Sequence, residues 1–216
     1  MAPLDTIAHP VSARREIERS RFLATLHPVA DDAGAAAVIA ALRQQHRDAR
    51  HHATALVLGP DGAHRHSSDD GEPAGTAGAP LLSVLTGAGL TDVVAVVTRW
   101  FGGKLLGAGG LVRAYGGTLS DAVALAPRLT REPVVLLEVV APLPLAGRLE
   151  HELHRLAAVH PLQVAPGRYT AERVTLPVTV PPGEPEAAVR AHLAGLAPRV
   201  TVHVGGTGVR EVPAGR

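Results

Sequence analysis

Apolar and polar positions along the first 130 residues follow two periods, one typical of strands and the other of helices. Strands are predicted at residues 21–27, 54–58, 64–67 and 93–98. Helices are predicted where apolar positions recur at helical spacing, at 32–46, 80–85 and 109–125. The run at 93–98 is apolar at almost every position, which predicts a strand covered on both faces. These elements predict a mixed domain of helices and sheet.

The pattern starts again near Arg131. Strands are predicted at 134–140, 162–170, 174–180 and 200–204, and helices at 145–156 and 189–196. This βαββαβ order is typical of a ferredoxin-like fold, in which Pro177 would interrupt a central strand and favour a bulge. The sequence therefore predicts an α+β protein with two domains, 1–130 and 131–216, the second ending in a flexible, glycine-rich tail after Val204.

Composition limits the functional classes. The 216 residues are 46% apolar and 19% charged, which is typical of a folded globular protein. No apolar run reaches the length of a bilayer span, and the first residues lack the order of a secretory signal. The absence of cysteine excludes disulfides, thiolate zinc sites and a cysteine nucleophile. We therefore expect a cytoplasmic protein without a membrane partner.

Charge argues against a protein that coats duplex DNA. The formal net charge is +1, with 12 basic and 12 acidic residues before Arg131 and 9 and 8 from there on. Any nucleic-acid contact must therefore depend on a local patch, and no DNA partner is expected. Only five aromatic residues occur, and Tyr169 is the single one in the second domain. Base stacking by that domain is not expected.

Three dense motifs mark the first domain: HRDARHH at 46–52, SDDGEPAGTAG at 68–78 and RWFGGKLLGAGGLVRAYG at 99–116. Together with Ser20-Arg21-Phe22, they resemble the signature of the IMPACT/YigZ family, with Trp100 in place of the usual tyrosine. The resemblance implies a first domain of the ribosomal protein S5 domain 2 type and a ferredoxin-like second domain similar to the C-terminal domains of elongation factor G. It also implies a link to translation, because eukaryotic relatives act in translational control under amino-acid starvation.

The glycine-rich motif allows two interpretations. A buried strand ends at Arg99, and glycines lead from there into a helix, so a phosphate could approach backbone N–H groups at the positive helix end. Lys104 and Arg113 could add charge-assisted contacts. Alternatively, the glycines permit tight turns and close packing. The glycines of this candidate site are Gly102, Gly103, Gly107, Gly109 and Gly110.

The acidic motif also allows two interpretations. Asp69, Asp70 and Glu72 could hold magnesium through waters or supply an acid/base pair. The favoured alternative is a loop in which Asp69 or Asp70 accepts hydrogen bonds from backbone N–H groups. Thr76 could contact a ligand or cap the following helix.

His51 and His52 are neighbours in the sequence, so on a strand their side chains would point to opposite faces. One of them is expected to pack internally. The other could line a basic surface with Arg50 and Arg99; a plain solvated surface is the alternative.

The leading hypothesis is a non-enzymatic regulatory or binding protein that recognises the ribosome, RNA or a translation-related protein. The alternative is a nucleotide- or phosphate-binding enzyme or switch that uses the glycine-rich turn and the SDDGE loop. A third hypothesis is a protein-interaction module with a rigid surface. No cofactor, metal or catalytic residue is assigned. The candidate binding residues are Arg50, His51, Asp69, Asp70, Glu72, Thr76, Arg99, Gly102, Gly103, Lys104, Gly107, Gly109, Gly110 and Arg113.

Overall fold

The computed structural model describes residues 4–194 and 199–213, which form mixed helices and sheets with five α-helices in the described part. The chain divides into two compact units, one of residues up to 131 with 212–213, the other of residues 132–211. The end of the helix predicted at 189–196 and Gly215 of the predicted tail lie outside the described residues.

The first unit is built on an antiparallel sheet. Its elements are β1 Asp5–Ile7, β2 Val11–Ile17, β3 Ser20–Pro28, α1 Asp32–Gln45, β4 His51–Leu58, β5 His64–Ser68, α2 Gly78–Gly87, β6 Val93–Trp100, α3 Gly107–Leu125 and β7 Arg128–Pro142. The strand order of the sheet is β2–β3–β6–β4–β5, and short β1 pairs instead with the first residues of β7. Strands β1 and β2 are not predicted by the sequence pattern.

Helices cover both faces of this sheet. Alternate residues of the strands, such as Phe22, Ala53 and Val97, pack with α2 and α3 in the main core. The intervening residues of the strands, such as Leu56 and Val94, face the opposite side and pack under α1. Central β6 is therefore buried on both faces, which confirms the prediction for the apolar run at 93–98.

The second unit is also antiparallel. After a 3₁₀ turn at Leu143–Leu145, its elements are α4 Ala146–Ala157, β8 Gln163–Val164, β9 Arg168–Tyr169, β10 Arg173–Val180, α5 Glu184–Ala194 and β11 Thr201–Pro213. Strand β10 pairs with β7 on one side and with β8 and β9 on the other, and β11 pairs with the free side of β7. Its core is aliphatic, drawn from α4, α5 and the inward face of β10.

The ladder is irregular opposite Pro177. Residues 165–167, between β8 and β9, face only 176–177 of β10, so the partner segment carries one extra residue. The carbonyl of Pro177 accepts a bond from Ala165 N–H at 2.9 Å, so the proline nitrogen, which has no hydrogen, faces this irregular side. The pairing with β7 runs through Glu138 without a break. The predicted bulge thus lies in the neighbouring strand.

The prediction of a flexible tail after Val204 is wrong up to Pro213. These residues belong to β11, which pairs with β7. Arg210 anchors them, because its guanidinium bonds Glu132 at 2.7 Å and the carbonyl of Pro161 at 2.9 Å. The glycines in this stretch are compatible with extended backbone, and pairing with β7, which is distant in sequence, holds the segment in one conformation.

Candidate functional site

The acidic loop between β5 and α2 is folded around the side chain of Asp69. Its two carboxylate oxygens accept hydrogen bonds from the backbone N–H groups of Gly75, Ala77 and Gly78 at 2.8–2.9 Å. Burial alone would raise the pKa of Asp69, but these three bonds outweigh it and the pKa is lowered. Asp69 thus holds the start of α2, which confirms the loop interpretation for this residue.

Asp70 ties the same loop to β4 and α1. Its carboxylate accepts bonds from the N–H of His52 at 2.6 Å and from the guanidinium of Arg43 at 2.5 Å. Its carbonyl accepts a bond from Nδ1 of His51 at 2.9 Å. Burial raises its pKa, but these donors and the charge of Arg43 outweigh that effect, so the pKa is lowered.

Glu72 is buried at the centre of a polar network. Its Oε1 lies 2.7 Å from the Arg99 guanidinium and accepts a bond from the Tyr115 hydroxyl at 2.6 Å. Arg99 also reaches the hydroxyl of Ser20 at 3.4 Å, while its Nε has no partner among the described residues. Burial, followed by the bond to Glu72, raises the pKa of Tyr115. The network joins the loop to β3, β6 and α3.

The glycine-rich segment is shaped by a close backbone approach. Gly102 donates its N–H to Ser20 at 3.1 Å, and a Cβ at Gly102 would lie 2.0 Å from the carbonyl carbon of Arg19. Gly103 and Gly107 adopt positive φ angles of 88° and 67°. These three positions therefore require glycine for conformation or space.

Helix α3 begins in this segment without a side-chain cap. Gly107, Gly109 and Gly110 lie in its first turn, which contains no acidic residue. Lys104 is paired with Glu18 at 2.6 Å, and Arg113 lies one turn beyond Gly109 on the exposed side. The start of α3 thus keeps the positive end of its dipole without a capping carboxylate.

A pocket of ≈ 430 Å³ opens beside this segment, and we call it the recognition pocket. It combines cationic and apolar side chains. Phe101 and Leu105 at its edge are 40% and 85% exposed, respectively. The lining residues are Arg50, His51, Glu72, Pro73, Arg99, Phe101, Leu105, Leu106, Gly107, Ala108 and Leu111.

The structure thus brings five of the candidate residues into one pocket: Arg50, His51, Glu72, Arg99 and Gly107. The two histidine side chains diverge as predicted, since His51 lines the pocket and His52 is buried within the sheet face under α1. The other candidates lie around the pocket or stabilise the loops beside it; they are Asp69, Asp70, Thr76, Gly102, Gly103, Lys104, Gly109, Gly110 and Arg113.

Thr76 has a local role. Its hydroxyl donates to the carbonyl of Pro73 at 2.6 Å, while the N–H of Gly78 at the start of α2 donates to Asp69. Of the two alternatives for Thr76, the helix cap is not observed, because the hydroxyl is bonded within its own turn.

Sequence reasoning missed the apolar half of the pocket. Phe101, Leu105 and Leu106 lie between glycines in the motif and were not considered as contact residues. An aromatic residue and two leucines in a loop that should be polar were the available signal. The role of Tyr115 as the partner of Glu72 had no local signal, because the two residues are 43 positions apart.

Within residues 4–194 and 199–213, no group of three or more histidine and carboxylate side chains is placed to hold a metal ion. No helix in that part of the chain is long and apolar enough to cross a bilayer.

The family model of the Impact N-terminal domain matches residues 18–123. A relative from Thermus thermophilus, described as an IMPACT family member in pol 5'region, is 42% identical over 167 residues, covering 77% of this chain and 87% of that protein. The chain belongs to the IMPACT family. The matched residues include the acidic loop, the glycine-rich segment and the recognition pocket.

Other IMPACT family proteins are matched over shorter stretches. YigZ of Escherichia coli is 48% identical over 118 residues, which is 54% of this chain and 58% of YigZ. The chain thus spans less than two thirds of the length of the first curated relatives that it matches. A crystal structure of a hypothetical protein superposes with a TM-score of 0.63 at 34% identity, covering 94% of this chain and 98% of that one.

Proposed function

We propose that this IMPACT family chain is a non-enzymatic regulatory or binding protein linked to translation, acting in the cytoplasm on the ribosome, RNA or a translation-related protein. The observation that carries the proposal is the contrast between the acidic loop and the recognition pocket. All three loop carboxylates bond internal partners, whereas the adjacent pocket exposes Arg50, Phe101 and Leu105.

The bonding of the carboxylates argues against acid/base chemistry. Asp69 and Asp70 have lowered pKa values and accept bonds from fixed backbone donors. Glu72 forms a buried ion pair with Arg99 and accepts a hydrogen bond from the Tyr115 hydroxyl. A general acid or a metal ligand needs an oxygen that reaches the substrate or the ion. Both oxygens of Asp69 and of Asp70, and Oε1 of Glu72, instead accept bonds from groups within the protein.

The pocket has the composition of a protein- or nucleoprotein-binding surface. Exposed aromatic and aliphatic side chains beside an arginine are typical of interface centres. Arg50 forms no ion pair with any described residue, so its charge is available to a partner. A translation-linked partner fits the family membership and this combination of charge and apolar surface.

Fold type supports the same proposal. We assign the first domain, 1–130, to the ribosomal protein S5 domain 2 type and the second, 131–216, to the ferredoxin-like type similar to the C-terminal domains of elongation factor G. The strand order β11–β7–β10 followed by β8 and β9, with α4 and α5 between strands, favours the second assignment. Both types occur in translation components, which is an argument by analogy.

The proposal is tested by sedimentation of the purified chain with ribosomes at low and physiological salt. We expect salt-sensitive association that is lost in Leu105→Asp and weakened in Arg50→Gln, because these changes remove an apolar contact and a free charge. Leu125→Asp is the matched control, since Leu125 is also exposed, at the far end of α3. Absence of association contradicts a ribosomal partner, and equal loss in both leucine variants contradicts the recognition pocket as the contact surface.

A phosphate- or nucleotide-binding switch is the second candidate, and the uncapped start of α3 favours it. A ligand that binds only the folded chain must raise its melting temperature. A shift with a nucleotide and magnesium that Gly109→Asp abolishes would support this candidate, because the added carboxylate repels an anion at the helix start. No shift across a nucleotide panel excludes it.

A further inference from the structure

The sheet of the first unit has a second concave surface, on the face that carries α1. Helix α1 packs over β4 and β6, with Ala35 against Leu56 and Val94. Among the described residues, no helix lies over β2 and β3 on the same face. Two adjoining pockets of ≈ 360 and ≈ 320 Å³ lie there, and they share Arg14, Leu23 and His46. We call the pair the basic groove.

The charges in the basic groove are unbalanced. Arg14 and Arg21 line the larger pocket, and neither forms an ion pair with a described residue. The intervening Arg15 points to the other face of the sheet, where it binds Asp121. Glu16 is the one carboxylate among the residues that line this pocket. Among these lining residues, the two guanidiniums without an ion pair and Glu16 leave one positive charge, and the carboxylate of Asp48 lies beside the pocket against Trp100.

Trp100 forms a fixed wall of the same pocket. Its indole N–H donates to Asp48 at 2.8 Å, and the ring of His46 packs edge-on against it at 5.3 Å between centroids. The Arg21 guanidinium lies 5.0 Å from the Trp100 ring centroid. A guanidinium held on an aromatic ring still directs its N–H groups outward in its own plane, so the stacking orients donors without consuming them.

We propose that the basic groove binds a single phosphate group of a phosphate-bearing ligand, with Arg14 and Arg21 donating to the phosphate oxygens. The fork of N–H donors on each arginine matches phosphate geometry, and stacking on Trp100 reduces the entropy lost on binding. Leu23 and Trp100 offer apolar surface to the rest of the ligand. One phosphate fits better than a polyphosphate, because Glu16 repels further negative charge.

The groove is separate from the recognition pocket, since none of the residues that line its two pockets lines the other. The phosphate could belong to a free mononucleotide or to the backbone of single-stranded RNA. Both sources present the same group to the two arginines, so the test includes both.

The test uses the fact that Trp100 is the single tryptophan of the chain. Its emission therefore reports on this groove directly. The full chain is titrated with adenosine monophosphate and, separately, with a short single-stranded RNA at low salt. We expect a saturable change in emission with at least one ligand, weakened about tenfold or more in Arg14→Gln and in Arg21→Gln. Tighter binding of the RNA identifies a nucleic-acid backbone as the source, and tighter binding of the nucleotide identifies a free metabolite.

The control is Arg65→Gln, which removes one arginine charge on β5, the opposite edge strand of the sheet. It should bind like the unchanged chain. If Arg21→Gln alters the emission by itself, Arg14→Gln is measured by isothermal titration calorimetry. No saturable change up to about 10 mM nucleotide or with RNA overturns the proposal, as does binding that both groove variants retain. Neither result bears on ribosome association through the recognition pocket.

Discussion

At the scale of single residues, two glycines of one motif have opposite requirements. A Cβ at Gly102 would overlap the Arg19 backbone at 2.0–2.2 Å, whereas a Cβ at Gly109 would meet only the end of Arg113 at 3.5 Å. We expect Gly102→Ala to lower the free energy of unfolding by about 3 kcal/mol or more, because backbone must move. Gly109→Ala should be neutral or stabilising by up to about 1 kcal/mol, because alanine favours helix. Urea denaturation distinguishes them, and equal effects contradict the close approach.

The buried Glu72 network gives a second residue-scale expectation. Glu72→Gln leaves the Arg99 charge without its carboxylate partner, and both side chains are about 95% buried. Breaking one side of a buried ion pair costs about 3–5 kcal/mol. Tyr115→Phe removes only a hydrogen bond to Glu72 and should cost about 1.5–3 kcal/mol. Chemical denaturation of both variants tests whether Glu72→Gln is the more destabilising. A smaller loss of unfolding free energy in Glu72→Gln than in Tyr115→Phe contradicts this expectation.

His52 makes stability depend on pH. Burial, followed by the charge of Arg43, lowers its pKa below the ordinary 6.5, while Asp70 has the opposite, smaller effect. The folded chain keeps the ring neutral, so the unfolded chain binds the proton first as the pH falls through about 6.5. The free energy of unfolding should therefore decrease between about pH 7.5 and 5.5.

Urea titrations at the two pH values test this, with His52→Gln as the comparison. The variant should lose part of the decrease and retain the part due to His27, whose pKa burial also lowers. An identical decrease in both proteins would show that His52 does not contribute.

At the scale of elements, β11 is expected to be a stable part of the second unit. Arg210 is largely buried and donates to Glu132 and to the Pro161 carbonyl. Arg210→Gln should therefore lower the free energy of unfolding by about 1–3 kcal/mol. Arg173→Gln is the control, because Arg173 is exposed and its side chain bonds no described residue. If both variants melt like the unchanged chain, this segment is not ordered in solution.

The helices and strands were predicted correctly where the hydrophobic pattern of the sequence matches the burial of the element in the fold. The apolar run at 93–98 and the alternation in β10 identify buried strands, and both are observed. Strand β2 was missed because Arg14, Arg15 and Glu16 interrupt its alternation, and pairing with β3 determines its structure. The residues after Val204 were predicted to be flexible because of their glycine content. Their partner strand β7 lies far away in the sequence, so the local pattern gave no sign of the pairing.

At the scale of the whole molecule, the sequence identified the motif regions of the site but not its contacts. The three motifs include the residues of the acidic loop and the glycine-rich segment. The partners that fix them, such as Ser20 for Gly102 and Tyr115 for Glu72, come from distant elements. Only the folded chain shows that the loop carboxylates accept bonds from internal partners and that Phe101 and Leu105 are exposed.

Two separate binding surfaces should be affected independently by substitution. Leu105→Asp should abolish ribosome association and leave the response of Trp100 to phosphate ligands unchanged. Arg14→Gln should weaken the response of Trp100 to phosphate ligands and leave ribosome association unchanged. Effects at sites without shared partners add, so the double variant should combine both losses and nothing more. Loss of both activities in either single variant contradicts two separate surfaces.

The extra residue opposite Pro177 also affects how the second sheet meets its surroundings. Self-association of sheets proceeds when a regular row of unpaired N–H and C=O groups accepts a strand from another molecule. The β8 and β9 side is split into two short pieces by residues 165–167, so its row of groups is discontinuous. This edge is therefore protected against the strand-by-strand growth that leads to fibrils, although no charged side chain is needed to block it.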